Sequence, residues 1–321
     1  MRFTLTYPLL HHPSPPELFT GAAVAEVARA AEAAGFDALA FTEHPMPSDR
    51  WLEAGGHDAV DPFIALTWAA AATEHLRLLT NITVVAYRNP FLLAKTVATL
   101  DSLSGGRVIL GAAAGYLKSE FRALGVDFDE RNELFDEALE VLALSWTGEP
   151  VTYQGRHFSA AGNQLVPVPV QQPPPIWIGG NSAAARRRAA AWGQGWMPFA
   201  NPPQANRVVR TPSIWTADDL SPLLDELRTW TKEAGRDPLD VHFGGAGGGT
   251  PGADDFDPGH HRDHVEALAG IGVTWVGAGA LGDDLRSVLV GIEAYGREVI
   301  TASELTRPRA GERPTGRDAG R

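Results

Sequence analysis

Glu43 and His44 stand side by side after the apolar run 37–42, at what reads as the end of a strand. A histidine titrates close to neutral pH, so it can give or take a proton during turnover. His44 is the one histidine placed at a strand end beside an acid; the competing reading is a ring hydrogen-bonded into its loop and nothing more. A second candidate is the run Gly-Ala-Ala-Ala-Gly, 111–115, with Tyr116 behind it. So few side chains let a flat ring or a phosphate come close to the backbone, or let a strand pack tightly on a helix. A third is Gly179-Gly180-Asn181-Ser182, between the apolar run 176–178 and an Ala/Arg helix. Glycines before a helix N-terminus leave bare N–H groups, which is how proteins hold phosphate. Asn181 or Ser182 can cap that helix and share its free N–H groups with an anion.

Other groups say less. Trp51, Tyr116, Trp196 and Phe199 could line an aromatic pocket for an apolar compound, or fill core and rim. Arg186, Arg187 and Arg188 spread too far round a helix to form one face and read as solvated surface. No metal site is expected, since no H-E-x-x-H or carboxylate cluster occurs, and there is no G-x-S-x-G elbow. Lys95, Lys118 and Lys232 are the only lysines; none ends a strand, which counts against a Schiff-base lyase or aldolase.

The elements that must position these residues alternate. Strands are expected at 2–7, 37–42, 77–85, 107–112, 176–178, 195–199, 240–244 and 273–276. Helices are expected at 21–34, 62–73, 90–104, from an acidic start at 127–130 to about 146, in the Ala/Arg stretch after Ser182, and at 218–234, 260–269 and 281–301. Asp61-Pro62 reads as an N-cap and first helical position, and Gly35 as a C-terminal stop. Strict β/α alternation implies a parallel sheet with right-handed crossovers. Eight units in 321 residues suit an α/β (β/α)8 TIM barrel, with insertions after strands 4, 6 and 7 (151–175, 200–213 and 244–259). A doubly wound open sheet would show the same alternation, but the first strand–helix junction carries Pro and His where G-x-G-x-x-G would sit. The first insertion is expected to hold a small hairpin, 151–153 and 156–158 around Gly155, before a Pro-rich run; the two insertions after strands 6 and 7 lie at the mouth, as variable loops or as a lid. One domain, 1–307, is expected, with 308–321 a polar disordered tail.

Composition narrows the class. A net charge of −12 disfavours nucleic acid and anionic membrane surfaces. The absence of cysteine excludes disulfides and thiolate chemistry. No apolar run is long enough to span a bilayer and nothing resembles a signal peptide, so the expectation is a cytoplasmic protein.

The stretch 88–131 carries a more specific signal: Asn-Pro, then LAK, ATLD, LSGGR, a glycine-spaced LGxxxG and E-F-x-x-L-G. With "EALEVLALSWTGEPVTYQGRHF" and "PPIWIGGNS", it resembles the bacterial-luciferase-like oxidoreductase superfamily, and is most similar to its class dependent on the deazaflavin coenzyme F420. The resemblance covers roughly residues 1 to 300 and implies a (β/α)8 barrel with the cofactor at its mouth. It implies that Glu43 and His44 lie near the ring, and that a non-prolyl cis peptide near Asn81-Ile82, followed by Thr83, backs it. It implies that Gly115, Tyr116, Gly179, Gly180, Asn181 and Ser182 meet the cofactor, whose phosphate is held by backbone. Hydride would pass between F420 and a small, partly apolar organic substrate, with His44 bonding the acceptor or supplying a proton. An FMN-dependent monooxygenase is the alternative, and a non-catalytic flavin-binding barrel the alternative of another class. A homodimer is also implied. One departure matters: some deazaflavin dehydrogenases carry glutamate where this chain has Tyr116, which argues against a sugar-phosphate dehydrogenase role.

Overall fold

The computed structural model describes residues 1–202, 211–245, 247–249, 251–280 and 282–302. The chain alternates as its pattern requires. Strands β1 (Arg2–Thr6), β2 (Ala38–Phe41), β3 (Arg77–Thr80), β4 (Thr83–Val84) and β5 (Val108–Ala113) precede a hairpin, β6 (Val151–Gln154) and β7 (Ser159–Asn163). Strands β8 (Ile176–Gly179), β9 (Gly195–Met197), β10 (Asp240–Phe243) and β11 (Trp275–Gly279) follow. Neighbours run β3, β2, β1, β11, β10, β9, β8, β5, all parallel, and β5 returns to β3 through Leu78↔Val108 and Leu79↔Ile109. The sheet is closed, and the fold is a (β/α)8 barrel whose third stave is split into β3 and β4.

The two-residue period sorts the side chains. Phe3, Leu5, Leu39, Leu78, Leu110 and Val276 face the surrounding helices in the large outer core. Ala38, Ala40, Leu79, Ile109, Trp177, Met197 and Trp275 form a separate cluster that plugs the inside of the barrel. Two to four residues further toward the C-terminal mouth, the inward rows of β5, β8 and β11 carry Ala113, Gly179, Gly277 and Gly279. The interior is therefore plugged by large side chains below, and these three strands line it with small residues above.

Caps fix the helices that start at the mouth. Asp61 accepts from the amides of Phe63 and Ile64, and Asn89 from those of Phe91 and Leu92. Helix 21–34 ends at Gly35, whose φ of 96° suits glycine. The hairpin differs from expectation: its second strand is Ser159–Asn163, not 156–158. Buried Glu137 explains the shift, because it takes the amides of His157 and Phe158 and keeps them in the turn. The last helix begins at Leu285 under an Asp284 capping box, later than residue 281. Two short helices were not foreseen, Asp49–Glu53 and Lys118–Ala123.

Residues 203–210, 246 and 250 fall outside the described residues, and so does the tail 308–321. The remainder of the second insertion is tied by an Asn201–Ile214 bridge. Among the described residues, no helix is long and apolar enough to cross a membrane, and no group of three or more His, Cys, Asp or Glu could hold a metal ion.

Candidate active site

Strand β2 delivers Glu43 and His44 to the mouth, and the alternation of an extended chain sends them opposite ways. Glu43 is 4% exposed. Its Oε2 accepts from the Val84 amide at 2.6 Å, and its other oxygen pairs with Arg88, which also reaches Asp61 at 3.2 Å. Burial pushes the Glu43 carboxyl up from its ordinary value, with Arg88 and the Val84 amide opposing. Glu43 thus clamps β4 to β2. It does not touch His44.

The acid that meets His44 is Glu120, on the short helix after β5. His44 Nδ1 lies 3.3 Å from Glu120 Oε2, and Glu120 is 1% exposed. The same carboxylate accepts from the Met46 amide at 3.2 Å and the Tyr87 hydroxyl at 3.1 Å. Burial, followed by the Glu120 charge, pushes the Tyr87 phenol far above its ordinary range, so it stays a donor. Three rings surround His44: Trp51 at 4.3 Å between centroids, His57 at 5.0 Å and Tyr116 at 6.2 Å. Burial, and after it Glu120, pushes Tyr116 up to about 12, with a Trp51 hydrogen bond opposing. His57 bonds the Asp58 carbonyl through Nδ1 at 2.9 Å, and burial lowers its titration.

The aromatic pocket is thus half as expected. Trp51 and Tyr116 converge on His44. Trp196 is fully buried behind the mouth, its indole N–H donating to the Gly180 carbonyl at 3.0 Å. Phe199 is exposed on the loop after β9.

The peptide between Asn81 and Ile82 is cis. Across it, Ile82 lies over Gly179, where an added Cβ would come within 2.1 Å of the Ile82 Cδ1. Thr83 is fully buried and its hydroxyl has no hydrogen-bond partner. Gly115, at φ 82°, has Val84 and Phe121 packed where a Cβ would stand. These glycines therefore serve close packing of the staves around the mouth.

At the end of β8 the structure reassigns the expected donors. The Gly180 amide already donates to the Met197 carbonyl at 3.2 Å, and its φ of 109° requires glycine. The Asn181 side chain is fully used: its Nδ2 donates to the carbonyls of Phe199 and Pro212, and its Oδ1 accepts from the Phe199 amide. Ser182 caps helix 183–192 by accepting from Ala185 at 3.2 Å. The first-turn amides of Ala183 and Ala184 precede the helical ladder, and they are the donors an anion would meet there.

Of the neighbouring arginines, Arg187 is exposed as expected, but Arg186 and Arg188 are not solvated surface. Arg186 is 6% exposed, pairs with Glu226, donates to the Asn181 carbonyl at 2.9 Å, and lies beside Trp196 and Trp230. Arg188 bonds Asp136 with two nitrogens and covers Phe135. Both anchor helix 183–192 to its neighbours, which the sequence did not signal because the acids are 40 and 52 residues away. Glu120 was missed for a similar reason. It sits inside the E-F-x-x-L-G run, but nothing local marks the helix that turns it back to β2.

Known proteins share this architecture. The chain is 31% identical over 185 residues to an F420-dependent glucose-6-phosphate dehydrogenase of Kineococcus radiotolerans, an alignment covering 56% of this chain and 53% of that enzyme. Monooxygenase RslO1 from Streptomyces bottropensis superposes with a TM-score of 0.75 at 22% identity, over 94% of this chain and 99% of that one. The coenzyme F420 dependent tetrahydromethanopterin reductase of Methanopyrus kandleri gives 0.70 at 21% identity, over 94% and 98%. At these identities the two structures speak for the fold. Residues 1–212 match the family model of luciferase-like monooxygenases, and the chain belongs to that family.

Proposed function

We propose that this barrel is an F420-dependent oxidoreductase acting on a small, partly apolar organic substrate. The observation that carries the reading is His44, held at the mouth by a buried carboxylate and walled by Trp51, His57 and Tyr116. A deazaflavin, when bound, supplies hydride chemistry, and the protein supplies binding, orientation and protons.

The mouth fits such a group on three counts. Above the Trp177–Trp275 plug the inward rows of β5, β8 and β11 carry Ala113, Gly179, Gly277 and Gly279, small residues that leave room for a flat ring. The buried Thr83 hydroxyl beside the Asn81–Ile82 peptide lacks a partner. The amides of Ala183 and Ala184 open a ten-residue helix at the same rim, where its dipole favours a phosphate. Asn81, Ile82 and Thr83 would back the ring. Gly115, Gly179 and Gly180 would shape its seat, and Ser182 with the following amides would meet the phosphate.

His44 would hold or deliver the proton that accompanies hydride transfer, through the ring nitrogen that Glu120 does not engage. Tyr116 and Trp51 would exclude water from that nitrogen and offer flat, apolar surface. The relative named a glucose-6-phosphate dehydrogenase supports the cofactor; this mouth does not by itself support a sugar phosphate, because the charged group next to His44 is a carboxylate.

Titration calorimetry of the purified protein with F420 and with FMN tests the reading. Tighter binding of F420 is expected. A clear preference for FMN overturns it in favour of an FMN-dependent monooxygenase, and binding of neither leaves a barrel without this chemistry.

A further inference from the structure

The luciferase-like reading makes His44 the working group of the mouth, and on that reading rests a role for a residue outside it. We propose that Glu120 is the positioning residue of His44, holding its imidazole as the Nδ1–H tautomer and balancing its positive charge when Nε2 takes up a proton.

The fixed donors around Glu120 decide its state. The Met46 amide can only donate, and it points at Oε1. Tyr87 donates to Oε2. A carboxylate with 1% exposure stays ionised only where donors replace its water, and these two do so. An ionised carboxylate is acceptor only, so the remaining contact, from His44 Nδ1 to Oε2, requires a proton on Nδ1. The neutral ring then carries its lone pair on Nε2, and that nitrogen is left to exchange protons with a reactant.

Charge follows from the same arrangement. The titratable groups facing His44 are Glu120, His57, Tyr116 and, through Glu120, Tyr87. Both phenols are held neutral by burial and by Glu120, and His57 is held toward its neutral form by burial. Glu43, next in the chain, spends its charge on Arg88. Glu120 is thus the negative charge in contact with the ring. A purely structural Glu120 would tie the Met46 loop to helix 118–123 and leave the proton chemistry of His44 alone.

Replacing Glu120 with glutamine separates the two roles. The Met46 amide keeps the amide oxygen, so the new NH2 turns toward His44 and forces the Nε2–H tautomer. Long-range 15N NMR of the cofactor-free protein reads this directly. Expected are Nδ1–H in the wild type, Nε2–H in Glu120→Gln, and a His44 titration displaced to lower pH in the variant, because an adjacent negative charge has gone. Tyr87→Phe, which keeps the carboxylate, should retain Nδ1–H. In turnover, Glu120→Gln should lose roughly 10²-fold or more in kcat with cofactor affinity unchanged, the pattern of a carboxylate that orients a histidine. A wild-type His44 in the Nε2–H form overturns the proposal without any variant, and so does a folded Glu120→Gln with unaltered tautomer and titration. The NMR arm needs no cofactor, so it stands or falls separately from the F420 reading.

Discussion

His44 Nδ1 lies 3.3 Å from Glu120 Oε2, while Glu43, its neighbour in sequence, turns away to Arg88 and the Val84 amide. Consecutive residues leaving a strand face opposite sides, so one of the two had to be structural. The buried clamp on β4 went to Glu43, and the aromatic side of the mouth, where the side chain is 10% exposed, went to His44. The acid–histidine pair that works together is therefore assembled across 76 residues of chain.

If His44 manages the proton, His44→Asn should cut turnover by about 10²–10⁴-fold, the usual size of general acid–base help. Cofactor affinity should hardly change, since asparagine keeps the volume and a hydrogen-bonding tip. Any limb of the wild-type pH profile near neutrality should vanish with the ring. Full turnover by the cofactor-saturated variant would make His44 a packing residue only.

The legible part of this protein was periodic or capped. Helix 21–34 with Gly35, helix 90–104 with Asn89 and the eight strands all carry local signals; the two helices fall where expected and the strands within three residues, the third of them split in two. What stayed hidden depends on contacts made around the barrel. Gly180 reads as a phosphate loop, but its amide is spent on Met197. Asn181 reads as a cap or a ligand contact, but it stitches the Phe199 loop. Glu120 sits in a helix too short for periodicity to reveal. Residue types near the mouth were readable; which partner each one takes was not.

Arg186 turns a surface feature of the sequence into a stability prediction. Glu226→Ala leaves its guanidinium buried between two tryptophans and unpaired. The cost should be about 2 kcal/mol, below the 3–5 kcal/mol of a fully buried pair because Glu226 is 37% exposed. Arg187→Ala, whose guanidinium covers Trp230 from an exposed position, should cost about 1 kcal/mol or less. Urea midpoints of the two variants check the order. Equal losses would show that the Arg186–Glu226 pair behaves as a solvated one.

His242, wholly enclosed in the barrel beside Trp177 and packed on Gly277, is pushed down to about 4 by burial. Its folded value lies below the unfolded one near 6.5, so between the two the unfolded chain binds more protons. Its contribution to stability is therefore complete above about pH 6.5 and falls as the pH drops, by up to about 1.4 kcal/mol per unit, until near pH 4. His57, His261 and His264 are lowered by burial as well and add slope of the same sign. In His242→Leu the difference between denaturation midpoints at pH 7 and pH 5 should shrink without disappearing. An unchanged difference would mean that His242 is already charged in the fold or reached by water.

The outer face of two helices argues for a second copy of the chain. Helix 62–72 contains no charged residue, yet Ile64 is 66% exposed and Trp68 55%. Leu92 at 69% and Leu103 at 72% stand on the neighbouring helix 90–104. A helix apolar all round belongs in an interior, and these four exposed apolar side chains, with Lys95 the exposed charge beside Leu92, offer a partner of other chemistry little to pair with. A two-fold axis through it would set the same residues against themselves, which is how most soluble dimers close. We propose a homodimer through this face. Sedimentation velocity at micromolar concentration should find dimers in the wild type and monomers in Ile64→Asp combined with Leu92→Asp, with unchanged far-ultraviolet dichroism. A monomeric wild type would remove the dimer, and a dimer indifferent to both substitutions would move its interface to another face of the barrel.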